Sequence, residues 1–126
     1  MMKEISNAEL SVLNILWRNS PLGASEVVEA LASSQGMHEK TVKTLLNRLV
    51  KKQALGFEKQ GRAYRYYPLI DQSEYQLKES QSFVERVFAG KVAPLVAGFA
   101  KQKQLSPEDI AELKALIEHW EEDQSS

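Results

Sequence analysis

Between residues 40 and 52 the apolar positions are Val42, Leu45, Leu46, Leu49 and Val50, spaced i, i+3, i+4, i+7 and i+8. A helix puts all five on one side, so this segment must bury that stripe against other elements. The opposite face carries Lys40, Thr41, Lys43, Thr44, Asn47, Arg48 and Lys51. Ammonium and guanidinium groups suit phosphates, while Thr and Asn suit base edges. Strand-like runs at 55–59 and 63–69 follow, around Gln60-Gly61-Arg62, where Gly61 can supply the positive φ of a tight turn. A basic helix with a hairpin behind it, spanning His38 to Leu69, outlines a winged helix-turn-helix DNA reader.

The upstream segment supplies what the stripe can pack on. Ser6-Asn7-Ala8-Glu9 is a capping-box pattern preceded by Ile5 as an apolar staple, and Ala8, Val12, Leu13, Leu16 and Trp17 form a first buried stripe. Asn19, Ser20, Pro21 and Gly23 punctuate its end. A second helix is expected from Ala24 to Ala32, burying Val27, Val28 and Leu31 and stopping in Ser-Ser-Gln-Gly at Gly36. Tyr64, Tyr66 and Tyr67 have two readings: packing against the helices, or a phenol donating to a DNA phosphate.

The character changes near Ile70, which divides the chain into an expected DNA-binding domain, 1–70, and a helical domain, 71–126. A cap pair, Asp71 and Glu74, opens a fourth helix carrying Tyr75, Phe83, Val84, Val87 and Phe88 to about Ala89. A short fifth helix, Val92 to Lys101, contains Leu95, Val96 and Phe99, with Pro94 tolerable in its first turn. Leu105-Ser106-Pro107 starts a sixth with the stripe Ile110, Leu113, Leu116, Ile117 and Trp120, and 121–126 are expected to fray. The fold class is therefore mainly α with a small β-hairpin. Short helices with one apolar face bury themselves poorly alone, so they either fold back on the head or pair with a second chain. Pairing makes Val84, Val87, Phe88, Val96, Phe99, Leu113, Leu116, Ile117 and Trp120 the expected homodimer interface.

The net charge of −1 averages unlike segments. Residues 1–37 carry −2, 38–70 carry +6 and 71–126 carry −5, so the basic charge is concentrated where the helix and hairpin lie. The absence of cysteine excludes disulfides, thiolate metal sites and thiol nucleophiles. His38 and His119 are the only imidazoles; His119 beside Glu118 or Glu121 is better read as an exposed helix than as a metal site. No Gly-rich phosphate loop is present, and an enzyme, a cofactor or a metal is not expected. Without a long uncharged apolar run or a signal-like N-terminus, a cytoplasmic protein with no membrane partner is expected. Double-stranded DNA is the expected partner, and an acidic protein covering the same basic surface is the alternative.

The segments ISNAELSVLNILW, EKTVKTLLNRLVKK and GRAYRYYPLI, in that order and spacing, resemble the penicillinase repressor (BlaI/MecI/CopY) family of bacterial repressors. The resemblance covers nearly the whole chain. It implies a winged helix-turn-helix, a three-helix C-terminal dimerisation segment, and repression through a pseudo-palindromic operator. It places Lys40, Thr41, Lys43 and Thr44 at the major-groove end of the recognition helix, Arg48 and Lys51 toward the backbone, and Arg62 at the wing tip. Where family members carry Ser-Pro, this chain carries His38-Glu39. Copper-responsive members use C-terminal cysteines, which this chain lacks; in the β-lactam branch a sensor protease cuts an Asn-Phe bond in the fifth helix. The matching position is Gly98-Phe99, so a sensor protease is a further partner implied by the resemblance.

Overall fold

The computed structural model describes residues 4–125. Its elements are α1 (Asn7–Arg18), β1 (Leu22–Gly23), α2 (Ala24–Gln35), α3 (Glu39–Lys51), β2 (Leu55–Gln60), β3 (Ala63–Pro68), α4 (Gln72–Phe88), α5 (Ala93–Lys101) and α6 (Pro107–Ser125). Two compact units result, Met1–Gln76 and Leu77–Ser126. The division falls inside α4 and not at residue 70, because the first turn of α4 packs with the first unit. Tyr75 is buried and its ring lies 5.8 Å from that of Trp17, whose indole N–H donates to the Ile70 carbonyl at 2.9 Å.

The core of the first unit is where the three upstream stripes meet. Val12, Leu13 and Leu16 of α1, Val27 and Leu31 of α2, and Val42, Leu45, Leu46 and Leu49 of α3 are all buried in one cluster with Leu22, Ala54 and Leu55. Each large aliphatic side chain removed from water there contributes roughly 1.5–3 kcal/mol. Ile5, Trp17, Val28 and Val50 pack on the periphery of the same cluster.

Local chemistry explains the ends. Ser6 and Glu9 form the expected capping box, with the Ser6 hydroxyl accepting from the Glu9 amide at 3.2 Å and Glu9 Oε1 accepting from the Ser6 amide at 2.9 Å. Helix α2 runs three residues beyond the expected Ala32, since the Ser34 hydroxyl donates back to the Ala30 carbonyl at 2.8 Å and stays within the helix. Gly36, at φ 62, stops it. The hairpin closes between Gln60 and Ala63, and Gly61 takes φ 65 at the position where a type II′ turn requires glycine. A third strand joins it: Leu22 and Gly23 pair antiparallel with Tyr66 and Arg65, giving the order β1-β3-β2. Two residues are too few for alternation to show, so β1 read only as loop punctuation.

Asp71 in the first unit and Ser106 in the second cap as anticipated, accepting from the Glu74 and Asp109 amides at 3.1 and 3.0 Å. Helix α6 continues through Ser125 where fraying was expected. Its last turns are rich in helix-favouring Glu, and His119 Nε2 lies 3.8 Å from Asp123 one turn on.

One polar group sits inside the first core. Glu9 is 2% exposed, and its Oε1 lies 2.6 Å from Lys52 Nζ, which also donates to the Glu4 carbonyl at 2.8 Å. Burial alone would raise the Glu9 pKa, but the hydrogen bonds from Lys52 and Ser6 and the Lys52 charge outweigh it and hold the carboxyl below its ordinary value of 4.5. Lys52 is the C-cap of α3, so this pair ties the start of α1 to the end of α3. Lys52→Ala would leave a buried carboxylate unpaired, and denaturant unfolding is expected to show a loss of about 3 kcal/mol. Because the native pKa is depressed, the stabilisation is full above pH 4.5, declines below it and vanishes beneath the native pKa. Glu9→Gln should flatten that acid limb.

Candidate nucleic-acid interface

The burial of α3 determines what it can present. With Val42, Leu45, Leu46 and Leu49 turned into the core, Lys40, Thr41, Lys43, Thr44, Asn47, Arg48 and Lys51 are all exposed, as is Arg62 at the hairpin tip. The eight residues do not form one uniform patch. Lys40, Thr41, Thr44 and Arg48 line a shallow depression together with the edge of Leu45. Asn47 and Lys51 line a separate cleft facing the sheet. Lys43 lies 3.0 Å from Glu39, one turn earlier, and the ammonium draws the Glu39 carboxyl below its ordinary pKa through a hydrogen bond and direct charge attraction.

Two details refine the polar face. The Thr44 hydroxyl donates to the Lys40 carbonyl at 3.0 Å, so toward a base it offers its lone pairs and its methyl group. His38 is the N-cap of α3, and its Nδ1 accepts from the Lys40 amide at 3.1 Å. A ring nitrogen thus satisfies an otherwise open amide at the helix start.

Two of the basic residues behind the +6 of segment 38–70, Lys52 and Arg65, are turned to structural use. Lys52 pairs with Glu9, and Arg65 donates to the Pro21 carbonyl at 3.0 Å, joining β3 to the loop before β1. The first was detectable in the sequence: Glu9 falls on the i, i+3, i+4, i+7 spacing with Val12, Leu13 and Leu16, a charge on a buried stripe that demands a partner. The second had no local signal, because Pro21 and Arg65 meet only through sheet pairing. The tyrosines divide: Tyr66 and Tyr67 are partly buried, while Tyr64 is 44% exposed opposite Lys59 on the wing.

In the second unit, most of the expected interface keeps its apolar surface uncovered: Val87, Phe99, Leu116, Ile117 and Trp120 are exposed, and Phe88, Val96 and Leu113 are half-buried. Val84 differs, being 8% exposed within a single chain. Leu77, Phe83, Val92 and Ile110 are exposed as well. Gly98 and Phe99 lie inside α5, where the Gly98 carbonyl accepts from the Gln102 amide at 3.2 Å. No helix among the described residues is long and apolar enough to cross a membrane.

The sequence profile described as penicillinase repressor matches residues 5–119. The chain belongs to the penicillinase repressor family. It is 39% identical over 115 residues to the penicillinase repressor of Bacillus licheniformis, covering 91% of this chain and 90% of that one. It is 32% identical over 114 residues to the methicillin resistance regulatory protein MecI of Staphylococcus aureus, covering 90% and 93%. Among solved structures it is similar to the DNA-binding domain of the repressor BlaI, with a TM-score of 0.55 and 40% identity over 60% of this chain and 92% of that one. It is also similar to monomeric Bacillus licheniformis BlaI in complex with the blaP half-operator, with a TM-score of 0.53, 40% identity and the same coverage. These likenesses agree with the winged helix-turn-helix of this penicillinase repressor family member.

The Glu39–Lys43 pair holds one cation of this surface on an acid in the free protein. Glu39→Gln should therefore tighten duplex binding by about two- to fivefold at low salt, with the gain shrinking as salt rises, measurable by fluorescence anisotropy.

Proposed function

We propose that this protein is a transcriptional repressor that occupies a pseudo-palindromic operator as a homodimer, with α3 in the major groove and the β2–β3 wing on the phosphate backbone. The observation that carries the reading is the exposed basic, Thr-bearing face of α3, held rigidly by its buried stripe. Kinship with BlaI, whose solved complex contains a half-operator, supports it. Lys40, Thr41, Lys43 and Thr44 read the groove, with Asn47 beside them. Arg48, Lys51 and Arg62 contact phosphates. Lys51→Ala is expected to weaken specific and nonspecific duplexes alike and to lower the salt slope by about 0.9. Thr41→Ala with Thr44→Ala should instead flatten base preference; unchanged operator selectivity in a binding-site selection would refute the assigned readout.

The exposed apolar stripes of α4, α5 and α6 support pairing of two copies, which sets two α3 helices at half-site spacing. Leu116 and Trp120, 66% and 61% exposed, share one face of α6. A Leu116→Glu, Trp120→Glu chain should sediment as a monomer at micromolar concentration and lose operator affinity while retaining half-site contacts. A sensor protease is a proposed partner for release. Gly98 lowers the cost of unwinding α5 by roughly 1 kcal/mol relative to Ala, and a cut before Phe99 would separate α6 from the rest of the chain.

A further inference from the structure

The cleft beside the reading surface carries an aromatic wall to which none of the proposed DNA contacts is assigned. Asn47, Val50 and Lys51 of α3 form one wall, and Phe57, Tyr64 and Tyr66 of the sheet form the other, around a cavity of about 370 Å³. Strand register pairs Phe57 with Tyr66 and Lys59 with Tyr64, so these four residues share one face of the hairpin. Phe57 and Tyr64 meet edge to face, with centroids 5.1 Å apart and planes at 88°, while Phe57 and Tyr66 lie 6.5 Å apart at 54°. Phe57 is 49% exposed and cannot hydrogen-bond a phosphate, so backbone contact gives no reason for its ring to stand open.

We propose that this cleft binds a small planar aromatic carboxylate, and that its occupancy competes with DNA. The three rings provide flat apolar walls, and the size falls within the roughly 300–1,000 Å³ of small-molecule sites. Charge selects the ligand class: the lining contains the Lys51 ammonium and the Asn47 amide and no carboxylate, so an anion is favoured and a cation is not. The competition rests on the proposed DNA reading, because Lys51 would serve either the ligand carboxylate or a phosphate. The binding itself does not depend on it.

The test uses the full chain without DNA and 2-naphthoate as the probe, followed by saturation-transfer NMR. Naphthoate should bind, with 2-naphthylmethylamine and cyclohexanecarboxylate weaker by about tenfold or more, the scale of one well-placed contact. Phe57→Ala should abolish transfer while keeping the circular dichroism of the parent. Lys51→Gln should weaken naphthoate by about tenfold. No transfer to naphthoate, equal transfer to the amine, or undiminished transfer in Phe57→Ala would overturn the site. If Phe57→Ala weakened operator binding as much as Lys51→Ala does, the cleft would be part of the duplex seat and the proposal would fail. A duplex titration with saturating naphthoate should show a several-fold loss of operator affinity, and no loss would overturn the competition. Failure of the parent protein to bind any operator duplex would count against the DNA reading alone, since ligand binding is read without DNA.

Discussion

Everything on the DNA-facing side depends on the burial of one helical stripe. Val42, Leu45, Leu46 and Leu49 contact the side chains of α1 and α2, and their burial sets the rotation of α3 about its axis. A helix free to roll would present a shifting mixture of Lys, Thr and Leu. A helix pinned by four buried aliphatics presents a fixed order of donors, which base reading requires and simple charge attraction does not. The Glu9–Lys52 pair fixes the other degree of freedom by holding the end of α3 against the start of α1.

The electrostatics gained definition when the chain folded. The basic excess of 38–70 is real, but its members have different roles. Lys52 offsets a buried acid, Arg65 ties a loop to a strand, and Lys43 is shared with Glu39. What remains is a basic ridge on α3 with Arg62 at the end of the hairpin. An opposing charge at a few ångströms outweighs distant ones in a medium that screens within about 8 Å.

The helices of the first unit were legible because each carries a strong stripe and clear end signals: the Ser6–Glu9 box, Gly36 after α2, and the apolar series of α3. The hairpin was legible from Gly61 between strand formers. Strand β1 was not, because its two residues are held by pairing with Tyr66 and Arg65, more than forty residues away, and no local pattern encodes that. The unit boundary moved into α4 for a similar reason: Tyr75 is sequestered by Trp17, a contact between segments that share no periodicity. The cleft between α3 and the wing was equally hidden, since its two walls come from separate elements.

By itself the sequence determined the helices and the hairpin, the stripe that must be buried and therefore the polar face left outside, since helical periodicity makes one the complement of the other. The family follows from the same residues. Tertiary structure decided which cations stay available, which tyrosines stand open, where the first unit ends and that His38 caps α3. Those outcomes depend on distances between residues far apart in the chain. Such distances arise only when the elements pack, whereas periodicity is a property of neighbours.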